Sequence, residues 1–190
     1  MKVLILLHLL ILTSFSYAMS FDAKLVRIYD RKFYFDHPYQ PFSKLITFKN
    51  KSNNIYYVAS RHQECERSQT RIEIGLTKKP DLIVIEGLHA KWGNRPNNWD
   101  DRIKDKIEMA NGCDIYYAYK RAQELNIDYV GIELGVMKNY SSYERDIVFL
   151  ESIYELAKKY KTILIIYGAG HFVQQELVLE ALFGKPQAVF

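Results

Sequence analysis

Short apolar runs recur along the chain and are separated by segments in which apolar residues have helical spacing. Four runs after residue 54 have the length and composition of buried strands: 55–59, 82–85, 129–132 and 163–167. Runs without a polar face are typical of parallel strands covered on both sides. The short run 187–190 is expected to pair at an edge of the same sheet.

Helices are predicted between these runs. The segments with helical spacing are 68–78, 102–109, 114–125, the stretch after the capping box Ser141-x-x-Glu144, and 172–183. Asp114 is predicted to be an N-cap, and Gly184 with Pro186 is expected to end the last helix. Alternating strands and helices predict the α/β class, with a mostly parallel sheet flanked by helices on both faces.

The N-terminal part has two distinct patterns. Lys2 precedes an apolar stretch, Val3 to Leu12, which leads to Ser16 and Ala18, and this order is typical of a cleavable secretory signal. We therefore expect residues 1–18 to be a signal peptide and 19–190 to be a single domain, periplasmic or secreted. The apolar stretch is too short for a spanning helix, so no stable membrane insertion is expected after cleavage.

The segments 24–35 and 43–49 have apolar and polar residues in the pattern of short strands, as in a β-hairpin or as edge strands. Proline residues at 38 and 41 separate them. They are expected to cover the domain rather than to carry chemistry.

Charge and cysteine content narrow the classes of function. There are 26 Lys and Arg against 22 Asp and Glu residues, without a run of like charges, so a nucleic-acid partner is not expected.

In an oxidising compartment Cys65 and Cys113 can form a disulfide. A free thiol near His62 is the alternative, and the oligomeric state stays open.

The sequence Gly168-Ala169-Gly170-His171 stands at a predicted strand-to-helix turn. The glycines allow unusual backbone conformations or the close approach of another group. Val173 stands where a dinucleotide-binding motif needs its third glycine, and Walker, GxSxG and HExxH motifs do not occur in the chain. A nucleotide site is therefore not indicated.

A polar residue follows each of the four apolar strands predicted after residue 54. These residues are His62, Glu86, Glu133 and His171. Because the carboxyl ends of parallel strands lie at one edge of a sheet, we expect these side chains to share a pocket. Imidazole and carboxylate groups suit zinc, manganese, cobalt or iron, and a carboxylate that binds no metal can act as a general base.

Arg145 follows in the first turn of the helix after Ser141. A guanidinium in that place can hold a carboxylate of the substrate or stabilise an anionic intermediate.

The order of these motifs resembles the TraB/PrgY/GumN/Tiki superfamily. The resemblance lies in His62 after a strand, Pro80–Glu86, Glu144–Asp146 at a helix start and Tyr167–His171, and it covers roughly residues 55–183. The resemblance implies that His62 and His171 are paired site residues with Glu86 and Arg145 as companions. Members of the family have the motif GxxH after the first of these strands, and this chain has Ala59-Ser60-Arg61-His62 there, with Ala59 in place of glycine.

The resemblance implies several activities. Tiki-like members are metal-dependent peptidases, and ChaN-like lipoproteins bind haem. Related erythromycin esterases hydrolyse a lactone without a clear metal requirement, so a metal-independent hydrolase of that kind is an alternative. Our leading hypothesis is an exported hydrolase for a peptide or small-molecule substrate. In it, His62, Glu86 and His171 bind a divalent metal such as zinc, manganese or cobalt, or act directly on water. Glu86, Arg145 and Glu133 are the catalytic candidates.

Two alternatives come from other classes of protein. One is a haem- or iron-binding protein, with the apolar walls provided by aromatic residues such as Tyr116, Tyr117 and Tyr119. The other is a catalytically silent domain that recognises a protein partner. Arg61, beside His62, would repel a metal cation if its side chain pointed inward.

Overall fold

The computed structural model describes Leu25, Arg27–Tyr29 and residues 42–87, 113–132 and 141–189. The predicted signal peptide (1–18), the predicted helix 102–109 and Glu133 lie outside these residues.

From residue 42 onward, six strands and four helices follow one another in the described residues. The strands are β1 (Lys44–Lys49), β2 (Asn54–Ser60), β3 (Leu82–Ile85), β4 (Asp128–Val130), β5 (Thr162–Gly168) and β6 (Pro186–Val189). The helices are α1 (Cys65–Leu76), α2 (Cys113–Glu124), α3 (Ser142–Ala157) and α4 (Ala169–Phe183). None of the helices in the described ranges is long and apolar enough to cross a membrane.

The strands form one sheet in the order β4-β3-β5-β2-β1-β6. The pairs β3–β4, β3–β5 and β2–β5 are parallel, whereas β1 pairs antiparallel with both β2 and β6. The predicted α/β class with a mostly parallel sheet is therefore confirmed. The final strand lies at an edge, as expected.

The segment before the sheet differs from the prediction. Leu25 and Arg27–Tyr29 are helical rather than extended. Tyr29 is fully buried, and Leu25 and Ile28 pack against the same core, so the apolar positions follow helical spacing along one face. The predicted strand 43–49 is present as β1, but its hairpin partner is β2. Because β1 lies between β2 and β6, it is an interior strand rather than an edge.

Successive side chains of β5 enter two separate cores. Ile163, Ile165 and Tyr167 belong to the core under α3 and α4, and Leu164 and Ile166 belong to the core under α1 and α2. This alternation follows from the two-residue period of a strand. It explains why the run lacks a polar face, and it confirms that helices cover both faces of the sheet.

The parallel register brings the carboxyl ends of three central strands together. Ser60 of β2 lies opposite Gly168 of β5, and Ile85 of β3 lies opposite Ile166. The residues that follow these strands therefore meet at one edge of the sheet, and the candidate site lies there.

Candidate active site

Glu86 lies at the centre of the site. It follows β3, and its backbone N–H continues the ladder by donating to the Ile166 carbonyl at 2.9 Å. Only 7% of the residue is exposed. The backbone N–H of Gly168 donates to Oε2 at 2.5 Å, and Arg145 Nη2 donates to Oε1 at 3.3 Å. Both carboxylate oxygens are therefore engaged.

His62 contacts two acidic residues through its two ring nitrogens. Nδ1 lies 3.1 Å and 3.0 Å from the two carboxylate oxygens of Asp114, near the start of α2. Nε2 lies 3.5 Å from Oε2 of Glu86. Because an ionised carboxylate only accepts hydrogen bonds, the proton lies on Nδ1 and Nε2 faces the centre of the site.

His171 has the same arrangement on the other side of Glu86. Its Nδ1 lies 2.7 Å from Oδ1 of Asp146 in α3, and its Nε2 lies 3.8 Å from Oε1 of Glu86. The ring also packs edge-on against Tyr167, with the ring centroids 5.1 Å apart. The site thus contains two His–Asp pairs whose Nε2 atoms face opposite oxygens of one glutamate.

Asp146 is held by more than its histidine. Gln175 Nε2 donates to Oδ1 at 2.6 Å, and the Tyr29 hydroxyl donates to Oδ2 at 2.7 Å. Tyr57 in turn donates to Gln175 Oε1 at 2.9 Å. These four residues form a buried network that fixes the carboxylate under His171.

Within each His–Asp pair, the partner favours the charged form of the group beside it. Burial by itself would lower the pKa of His171, but its hydrogen bond to Asp146 and the negative charges of Asp146 and Glu86 raise that pKa overall. Burial would raise the pKa of Asp114, yet the hydrogen bond from His62, with Ser60 and the Ile115 N–H, lowers it overall. Asp114 is therefore ionised near neutral pH, and the imidazolium form of His171 is more favoured than that of a free histidine.

A cleft of about 260 Å³ opens onto these side chains. Its lining residues are Ser60, Arg61, His62, Gln63, Glu86, Gly168, Ala169, Gly170 and His171. Its walls expose more apolar than polar surface, and it is bounded by the backbone at the start of α4. A small polar group together with a water molecule can enter it and reach both imidazoles.

The glycines in Gly168-Ala169-Gly170 contribute space rather than unusual conformation. Gly168 has φ −59°, which any residue adopts. A Cβ added to it would lie 3.1 Å from Glu86 Oε2 and 3.5 Å from His62 Nε2, whereas a Cβ at Gly170 would meet nothing within 4 Å. Only Gly168 is required by the packing, because the carboxylate and an imidazole lie against its backbone.

The structure brings together four of the five predicted site residues, namely His62, Glu86, Arg145 and His171. Glu133, the fifth, lies outside the described residues.

Sequence reasoning missed Asp114 and Asp146, both of which are completely buried. Asp114 is not the predicted N-cap: it is inside α2, and its carboxylate contacts His62. A signal existed for Asp146, because it lies on the same helix face as the buried Leu150 and Ile153.

The donor types at this edge suit a divalent metal. Each histidine has its Nδ1 on a carboxylate and its Nε2 toward Glu86, as metal-binding histidines commonly do. However, Arg145 already contacts Glu86, and no group of three or more His, Cys, Asp and Glu side chains among the described residues is arranged to hold a metal ion. Metal binding stays a prediction.

A scan against models of known protein families finds no match to this chain, and a search of curated proteins finds none either.

Proposed function

We propose that this protein is an exported hydrolase whose two His–Asp pairs activate water and assist its attack on a peptide or ester substrate. The observation that carries the proposal is the position of the two imidazoles. In each imidazole, Nδ1 is hydrogen-bonded to a buried aspartate, and Nε2 lies beside a different carboxylate oxygen of Glu86. Such pairing fixes the tautomer and orientation of a histidine that transfers protons.

His62 is the better candidate for the general base. Its side chain is 31% exposed, against 16% for His171, so water in the cleft reaches its Nε2 more easily. Asp114 accepts the Nδ1 proton and stabilises the imidazolium that forms when Nε2 takes a proton from water. The proton would later pass from that nitrogen to the leaving group.

His171 is suited to the opposite role. Because its pKa is raised by Asp146 and Glu86, its imidazolium can donate a hydrogen bond from Nε2 to the oxyanion of the intermediate. His62 would thus carry the proton transfers, while His171 stabilises the negative charge that develops on the substrate.

Glu86 and Arg145 serve to orient the two imidazoles. The carboxylate accepts from the Gly168 N–H and from Arg145, so it is better suited to hold two rings at a common distance than to remove a proton itself. Arg145 supplies a positive charge 3.3 Å from Glu86 Oε1 that balances the acidic residues around it.

The direct test is hydrolysis by the purified protein of a panel of peptides and esters, with and without a chelator. We expect activity that persists with chelator and falls at least about 100-fold in His62→Ala and in His171→Ala. Gly170→Ala is the matched control in the same cleft, because its new methyl group meets open space. Activity that both histidine variants retain would exclude this mechanism.

A metal-dependent hydrolase is the second candidate. The Nε2-to-oxygen distances of 3.5 Å and 3.8 Å are close to the roughly 3 to 4 Å that separates ligands bound at about 2 Å from one ion. His62, His171 and Glu86 would hold the metal, which would lower the pKa of bound water. Equilibrium dialysis with zinc, manganese or cobalt tests this, and unchanged stoichiometry in His171→Ala would remove His171 as a ligand.

The haem-binding alternative has less support. Tyr119 is buried in the core under α1 and α2, Tyr116 and Tyr117 pack against that core, and the Tyr117 hydroxyl donates to Glu73 at 2.8 Å. None of these tyrosines lines the cleft beside His62 and His171. The alternative therefore depends on the histidines alone, and a Soret band on haem titration that is lost in His171→Ala would restore it.

Export is supported by two features. The first is the signal-like N-terminal sequence, and the second is a disulfide between Cys65 and Cys113, a bond that persists in oxidising compartments. N-terminal sequencing of secreted material, with cleavage after Ala18 as the expected result, tests this part of the proposal.

A further inference from the structure

We infer that the Cys65–Cys113 disulfide is a positioning device for the His62–Asp114 pair. The disulfide joins two parts of the chain whose cysteines are 48 residues apart in sequence. Cys65 begins α1 three positions after His62, and Cys113 begins α2 one position before Asp114. The covalent bond therefore connects the two backbone segments that carry the members of this pair.

Few non-covalent contacts from other parts of the chain hold the Asp114 carboxylate, so the disulfide can help to position it. Its carboxylate contacts His62, Ser60 and the Ile115 N–H. Of these, only His62 and Ser60 come from another part of the chain, and both lie at the end of β2. The disulfide joins α2 to that same region and so limits how far Asp114 can move away from the imidazole.

The end of β2 is itself held rigidly. Ser60 and Ser43 both lie within 2.9 Å of the Ser68 hydroxyl, and Arg61 donates its backbone N–H to the Ser43 hydroxyl at 2.9 Å. These serines connect β1, β2 and α1 beneath the loop that carries His62. With one side of the pair fixed, the position of α2 decides whether the carboxylate reaches Nδ1.

The second pair provides an internal comparison. His171 and Asp146 lie on α4 and α3, and Asp146 has two further donors in Gln175 and Tyr29. The disulfide does not join the elements of this pair. Loss of the disulfide should therefore affect His62 and leave His171 unchanged.

The test is ¹⁵N NMR of the histidine rings, recorded at a pH where the neutral imidazole dominates. In the oxidised protein we expect separate signals for a protonated Nδ1 and an unprotonated Nε2 in both His62 and His171. After reduction by a thiol, and in the double variant Cys65→Ala/Cys113→Ala, the His62 signals should shift toward those of mixed tautomers. The His171 signals should not change.

Asp114→Ala, with the disulfide intact, gives the spectrum of His62 without its carboxylate partner and is the reference for that shift. Reduced protein that keeps the oxidised His62 spectrum would overturn the inference. So would joint loss of the His62 and His171 signals in both the reduced protein and the double variant, because the disulfide would then act only as a general stabiliser.

The inference refines the proposed function, but this NMR test needs no substrate. If the protein proves not to be a hydrolase, the selective effect on His62 can still be observed. If the spectra do not change, the activity assays above are unaffected.

Discussion

The backbone N–H of Gly168 donates a hydrogen bond to Oε2 of Glu86, and a Cβ at position 168 would lie only 3.1 Å from that same oxygen. The main chain of β5 thus approaches the central carboxylate as closely as a residue without a side chain permits. Of the two glycines in the turn, it is the one that limits the geometry of the site.

Replacement of this glycine should disturb the site more than the fold. In Gly168→Ala the carboxylate must move by a few tenths of an ångström, which changes its distance to both imidazoles. We expect activity to fall about 10- to 100-fold, as for small displacements of catalytic groups, with a change in stability below about 1 kcal/mol.

Gly170→Ala is the matched control for this substitution. Its methyl group meets open space, and alanine favours a helix by roughly 1 kcal/mol over glycine. Hydrolysis assays and urea unfolding of both variants check the prediction. Equal activity in the two variants would show that close contact at position 168 is unimportant.

Asp146 should contribute to stability as well as to the site. Asp146→Asn removes the buried charge and one acceptor from a carboxylate that binds His171, Gln175 and Tyr29. We expect the free energy of unfolding to fall by about 2 kcal/mol. Asp128→Asn, at an exposed position in β4, should change it by less than about 0.5 kcal/mol. Chemical denaturation of both variants measures the two changes in unfolding free energy. A larger loss in Asp146→Asn than in Asp128→Asn would show that the buried hydrogen-bond network, and not the loss of one negative charge alone, causes the destabilisation.

The stability of the protein should depend on the protonation of His171. The pKa of His171 is raised in the folded state, burial being outweighed by Asp146 and Glu86. A raised pKa means that the folded state binds the proton more tightly, so the contribution is complete below the unfolded value near 6.5 and is lost as pH rises through the folded value.

Comparison with His171→Gln isolates this effect. The difference in unfolding free energy between the natural protein and His171→Gln should be larger near about pH 6 than near about pH 9. Urea unfolding at the two pH values measures it. A difference that grows with pH would mean that His171 is neutral in the folded protein.

Removal of the disulfide should destabilise the whole domain. Cys65 and Cys113 close a loop across a sequence separation of 48, for which chain entropy predicts on the order of 4 kcal/mol. We expect Cys65→Ala/Cys113→Ala to lose about 2 to 5 kcal/mol of unfolding free energy. Thermal unfolding of the oxidised protein, the reduced protein and the double variant provides the measurement, and three equal transition temperatures would contradict it.

Local patterns predicted much of the fold. The apolar run 163–167 indicated a strand buried on both faces, and β5 does contribute to two cores. The capping box at Ser141 and Glu144 is present at the start of α3. In both cases the information is local, because burial and capping act on residues that are neighbours in sequence.

The segment 24–35 shows where such patterns fail. Its apolar residues predicted a short strand, whereas the described Leu25 and Arg27–Tyr29 are helical. Packing decided between the two, since the helical arrangement places Tyr29 in the core, where its hydroxyl reaches Asp146.

The sequence by itself determined the sheet class and the placement of His62, Glu86 and His171 at strand ends, because strand period and strand polarity are local properties. Only the tertiary structure decided that Asp114 and Asp146 complete the two histidine pairs. Their carboxylates come from helices that are distant in sequence from their partners. The contacts depend on how those helices pack on the sheet, and no local pattern of residues specifies that packing.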